Sequence, residues 1–145
     1  MTEFRRVTPR FAVAGQLQPE DISRAAAEGY RMIVANRPDR EEPGQPSLAD
    51  LKAAARAAGI ELRCIPFTGP PPPGAVADTA ALLDETQGRP VLAYCRTGRR
   101  SIMAWALAEA LRGELRPNEI VALAAKAGYD LEGARGALDT LAPKT

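Results

Sequence analysis

The stretch AYCRTGRRSIMAW, residues 93–105, ends an apolar run on a cysteine, continues through a glycine, three arginines and a serine, and then returns to apolar residues. That pattern suits a thiolate nucleophile, because neighbouring arginines and the N-terminus of a following helix both favour the charged form of sulfur. Cys95 is the candidate nucleophile. The backbone N–H groups of Arg96 to Arg100, which span Thr97, would curl around a point above the sulfur as an anion nest, and Gly98 would permit the tight turn. Arg96 and Arg99 are either ligand contacts or solvated loop charges. Ser101 is either an N-cap or a hydroxyl donor to the thiolate. A cysteine that merely fills a core would explain neither Gly98 nor the three arginines.

The other chemistry-bearing residues are few. Histidine is absent, which removes Ser-His-Asp and Cys-His pairs and histidine zinc sites, and no metal or cofactor is expected. Cys64, the second of two cysteines, lies mid-strand in ELRCIPF, where core packing is expected rather than a resolving-thiol role.

The elements that must carry Cys95 repeat one grammar. QPEDISRAAAEGYRMIVA reads as a helix opened by Pro19, Glu20 and Asp21, capped by Gly29, and followed by a strand over residues 31–35. SLADLKAAARAAGIELRCIPF repeats it, with Ser47 as N-cap, Gly59 as terminator and a strand over 60–65 stopped by Pro66. The proline run at 70–73 is read as a stiff connector to a third helix over 75–86. A short apolar strand over 91–94 then leads into the cysteine loop. A helix from near Ser101 to Gly113 and two short ones, over 117–127 and 131–141, complete the chain. Trp105 and Tyr129 read as core or interface aromatics.

Short apolar strands alternating with helices predict an α/β fold, a small parallel sheet flanked by helices. In such a sheet ligands bind beyond the carboxyl ends of the strands, where Cys95 falls. Asn36 and Arg37 end a neighbouring strand, so Arg37 is either a ligand contact or a salt-bridge partner of Glu41 or Glu42. Thr68 and Gly69, after the next strand, are candidates for the pocket wall.

At 145 residues the chain is expected to form a single domain over 1–145. Nineteen basic against eighteen acidic residues leave no field that predicts nucleic-acid or membrane partners. The N-terminus lacks the roughly 7–15 apolar residues of a signal peptide, and no apolar run reaches the roughly 20 that span a bilayer, so a cytoplasmic protein is expected.

The loop CRTGRRS resembles the active-site loop of rhodanese-type sulfurtransferases, part of a wider group of cysteine-loop enzymes that includes protein tyrosine and dual-specificity phosphatases. Together with VAGQLQPEDI, GYRMIVANRPDREEPGQPS, AGIELRCIPF and RPVLAYC, it resembles the small bacterial phosphatase-like family also called DUF442 or beta-lactamase-hydrolase-like, over roughly residues 9–112. The resemblance implies a protein-tyrosine-phosphatase-like or rhodanese-like cysteine-loop fold, with Arg100 closing the loop beside the sulfur as a second catalytic residue. It also implies sulfur metabolism, since that domain is sometimes fused to persulfide-processing or sulfide-oxidising enzymes, which would then be its partners.

The phosphatase signature is usually His-Cys-x5-Arg. Here Tyr94 replaces the histidine, Ser101 stands at the sixth position, and the arginine is Arg100 at the fifth. One residue fewer removes up to about 3.3–3.6 Å of chain, which suits a single persulfide sulfur better than a phosphate cradle. The segment FTGPPPPGAVAD, corresponding to the phosphatase acid loop, carries only Asp78, inside a predicted helix. These features favour a sulfurtransferase that carries sulfane sulfur from thiosulfate or a persulfide as a Cys95 persulfide. The alternatives are a phosphatase that passes through a cysteinyl-phosphate and acts on phosphoesters, and a non-catalytic anion-binding module.

Overall fold

A computed structural model of the chain describes residues 2–144. Five strands, β1 (Arg5–Thr8), β2 (Phe11–Ala14), β3 (Met32–Ala35), β4 (Glu61–Cys64) and β5 (Val91–Tyr94), form one sheet in the order β1-β2-β5-β3-β4. β2, β5, β3 and β4 run parallel. The sheet is not wholly parallel, because β1 pairs antiparallel with β2 on the outer edge. Two four-residue strands joined through Pro9 and Arg10 carry none of the Asn-Gly or Asp-Gly chemistry that marks a hairpin in a sequence. The exposed Arg5 and Arg6 charge that edge against further strand pairing.

Side chains alternate between the two faces of a strand, so a fully apolar strand feeds two cores. Val91 and Ala93 of β5 enter the larger core with Trp105 and Ile120, while Leu92 and Tyr94 enter the smaller one with Ile22 and Leu51. Helices α1 (Pro19–Ala27) and α2 (Leu48–Ala58) cover the smaller core. α3 (Pro73–Thr86), α4 (Arg99–Arg112), α5 (Pro117–Lys126) and α6 (Arg135–Leu141) cover the larger. Trp105 is wholly buried and stacks on Phe11 with ring centroids 5.7 Å apart.

Ser47 caps α2 through its hydroxyl, and Gly59 ends that helix at φ 73°, as their residue types require. Other boundaries move. α3 begins at Pro73, and the last predicted helix is a 3-10 turn, Glu132–Ala134, leading into α6. α4 begins at Arg99, two residues before Ser101, because Gly98 at φ 92° supplies the N-cap. Among the described residues, no helix is long and apolar enough to cross a membrane.

Candidate active site

The carboxyl ends of β2, β5, β3 and β4 lie along one sheet edge, and the loops leaving them build the site. β5 lies between β2 and β3, so the cysteine loop sits between the Gly15–Gln18 turn and the Asn36–Ser47 connection. Gly15 permits the first approach: a Cβ there would lie 3.0 Å from the Arg96 carbonyl, to which the Gln16 N–H donates at 3.3 Å.

Cys95 is 1% exposed, and its Sγ accepts a hydrogen bond from the Gly98 N–H at 3.1 Å. The sulfur thus lies at the floor of a turn that closes directly into the first turn of α4, where unpaired N–H groups favour an anion. Gly98 is needed twice, for its positive φ and because a Cβ would press into the Tyr129 hydroxyl and ring. That hydroxyl donates to the Thr97 carbonyl at 3.0 Å, so Tyr129 braces the loop from outside rather than serving only the core. Gly98→Ala is expected to cost about 1–2 kcal/mol in backbone strain. It should also lower turnover about tenfold or more by tilting the turn away from Sγ. Partial recovery in Gly98→Ala/Tyr129→Ala would separate the clash from the strain, as steady-state kinetics and denaturant unfolding can show.

Arg100 reaches from α4 into a carboxylate. Its NH1 and NH2 donate to Glu41 Oε2 and Oε1, each at 2.8 Å, and NH1 also donates to the Phe67 carbonyl at 3.0 Å. Glu41 and, secondarily, the Cys95 sulfur hold this guanidinium more firmly protonated than an ordinary arginine, against the cost of burial. Arg37, 3% exposed, donates through Nε to Glu41 at 2.8 Å and through NH1 to Gln16 at 2.9 Å, and its NH2 lies 3.3 Å from Glu42. Arg37 therefore pairs with both Glu41 and Glu42, behind Arg100. Arg96 is exposed and pairs with Glu42 at 2.6 Å. Arg99 is also exposed, and among the described residues no carboxylate pairs with it.

Ser101 sits inside the first turn of α4 and is no N-cap. Its hydroxyl donates to Asn36 Oδ1 at 2.8 Å, so its proton points away from the thiol. Asn36 in turn donates to the Ile65 carbonyl at 3.0 Å, tying the start of α4 to the ends of β3 and β4. Cys64, at the end of β4, is half-buried against the smaller core. Gly69 lines the pocket beside the arginines.

The Arg100 fork, joined by Arg37, pulls the Glu41 carboxyl from 4.5 down to about 2 against the opposing cost of burial. A carboxyl that titrates lower folded than unfolded contributes in full above about pH 4.5, and that contribution drains as pH falls toward 2. The stability difference between wild type and Glu41→Gln is therefore expected to be largest near neutral pH and to shrink across that window. Denaturant unfolding at stepped pH checks it, and a pH-independent difference would contradict the ion-pair account. Ionised at neutral pH, Glu41 cannot protonate a leaving group, and Asp78 lies exposed within α3.

Comparison with known proteins shows the family and the fold. The chain is 37% identical over 129 residues to the beta-lactamase hydrolase-like protein of Agrobacterium fabrum, matching 87% of this chain but only 29% of that protein's length. It is 34% identical to a crystallised protein of Neisseria meningitidis described as a "putative phosphatase", with a TM-score of 0.77 over 94% of this chain and 96% of the other. Tk-PTP in its active form shares the fold at 18% identity, with a TM-score of 0.71 over 95% of each chain. The family model for the phosphatase-like domain of beta-lactamase hydrolase-like proteins matches residues 3–112, from the β1 edge through the Glu41 connection and the cysteine loop to the end of α4, and the chain belongs to that family.

Proposed function

We propose that the chain is a cysteine-dependent phosphatase acting on phosphate monoesters with good leaving groups. The observation that carries this reading is the pairing of Cys95 Sγ with the Gly98 N–H at the mouth of α4, with the Arg100 fork beside it. The Cys95 thiolate attacks phosphorus, an S–P bond forms as the P–O bond breaks, and the leaving oxygen departs with the bonding pair. Loop N–H groups, Arg100 and Arg99 take the charge on the non-bridging oxygens. Water then hydrolyses the cysteinyl-phosphate, releasing inorganic phosphate and restoring the thiolate. Glu41, held ionised, cannot supply the leaving group's proton, so the reading favours phenolates, which leave with little help, over alkoxides.

Sulfur transfer remains the second reading, and one observation favours it. The Cys-x4-Arg loop is a residue shorter than the phosphatase signature, and displacing sulfite from thiosulfate needs no acid. In that reaction the thiolate attacks the sulfane sulfur, and sulfite leaves with the bonding pair. One experiment ranks the two. Wild-type protein is incubated separately with p-nitrophenyl phosphate and thiosulfate, and release of nitrophenolate and intact mass are read. Steady nitrophenolate release without persulfide supports the phosphatase. A gain of about 32 Da from thiosulfate with no phosphate turnover reverses the ranking.

A further inference from the structure

A trough leaves the cysteine loop along α4. Its first part, about 670 Å³, has Arg96, Arg99 and Arg100 at its head, with Met103, Leu107 and Ala137 beyond them. Its second part, about 480 Å³, shares Pro71, Leu107 and Ala137 with the first and runs on to Leu111 and Leu141. Met103, Leu107 and Leu111 stand four residues apart, so they lie along one face of the helix. From Arg100 to Leu111 the helix rises about 16 Å. The Pro70–Pro73 run forms the facing wall, stiff and without backbone donors. Leu111, 40% exposed at the far end, is the one large apolar side chain among the described residues that stands in solvent.

Charge is confined to one end. Three arginines crowd the head, Arg99 with no acidic partner among the described residues, and no charged side chain lines the second part. In the second part the lining is apolar apart from Thr140, whose hydroxyl already donates to the Gly136 carbonyl, so a sugar, nucleoside or peptide would leave most of its polar groups unpaired there. An unbranched apolar chain leaves no polar group unpaired there.

We propose that this trough holds the tail of a single-chain amphiphile whose anionic head rests over Cys95. The ligand class is then a phosphate monoester carrying a single apolar chain, and only the identity of the head rests on the phosphatase reading above. Ala137 lies exposed where the two parts meet, so Ala137→Trp would plug the trough without disturbing the core.

The test is binding rather than turnover, so that it stands apart from the catalytic reading. Inorganic phosphate and butyl, hexyl and octyl phosphate, each below its micellar concentration, are titrated calorimetrically into Cys95→Ser and Cys95→Ser/Ala137→Trp. Affinity is expected to rise about two- to fourfold per added methylene in the first protein. In the second the series should flatten while inorganic phosphate binds equally, which also reports an intact fold. A flat series in Cys95→Ser, a series indifferent to Ala137→Trp, or no binding at any chain length overturns the proposal. So does sedimentation showing a dimer that Ala137→Trp dissociates, since the trough would then be covered by a second copy. A steep series in a protein that fails to hydrolyse aryl phosphates would retain the trough and remove the phosphatase. Brisk hydrolysis with a flat series would do the reverse.

Discussion

Cys95→Ser is expected to lower the turnover of p-nitrophenyl phosphate at least about a thousandfold, because a neutral hydroxyl replaces the thiolate that, in the proposed mechanism, forms the covalent intermediate. Stability should change little, within about 0.5 kcal/mol. Serine is nearly the shape of cysteine, and its oxygen can accept the same Gly98 N–H that Sγ accepts at 3.1 Å. Acid quenching during turnover, followed by intact mass measurement, should trap phosphate on the wild-type protein and none on the variant. Retained turnover in Cys95→Ser would remove Cys95 from the chemistry altogether, whichever group is transferred.

Arg100→Lys should lower kcat/KM for the same substrate about a hundredfold or more, although the formal charge is unchanged. The guanidinium makes three contacts at once, two to Glu41 and one to the Phe67 carbonyl, and these hold its plane beside the sulfur. An ammonium is a point charge on a flexible stem and cannot match the two oxygens of Glu41 while facing an oxyanion. It would collapse onto Glu41 and leave the substrate oxygens uncompensated. A loss smaller than about threefold would mean that the loop N–H groups carry the anion by themselves. The same variant frees half of the clamp on Glu41, so the acid-dependent stability loss expected of wild type should move toward higher pH.

Much of the β5–loop–α4 unit was legible in the sequence because its signals are local. An apolar run of strand length, a cysteine, a glycine at a positive-φ turn and an alanine-rich helix follow one another within about twenty residues. α1 and α2 were legible for the same reason, each with a helix opener and a terminating glycine. The β1 edge was not, because two four-residue strands without a turn signature are too short for periodicity to register. The start of α4 was misplaced by two residues because a glycine N-cap leaves no side-chain mark, whereas Ser101 advertises a cap it does not make.

The contacts around the sulfur divide differently. Sequence alone determined the candidate nucleophile, the arginine-rich loop and its Cys-x4-Arg length, and the absence of histidine, because these are properties of residue type and spacing along the chain. Tertiary structure decided that Arg100 grips Glu41, 59 residues away, and that Tyr129 braces Thr97, 32 residues away. It also decided that Ser101 spends its hydroxyl on Asn36. The reason is the strand order. With β5 between β2 and β3, the connection after β3 is laid against the cysteine loop, and helices packed on one face bring α4 and α6 together as the walls of an apolar trough. Hydrophobic periodicity reports which face of an element is buried, but not which distant element will cover it.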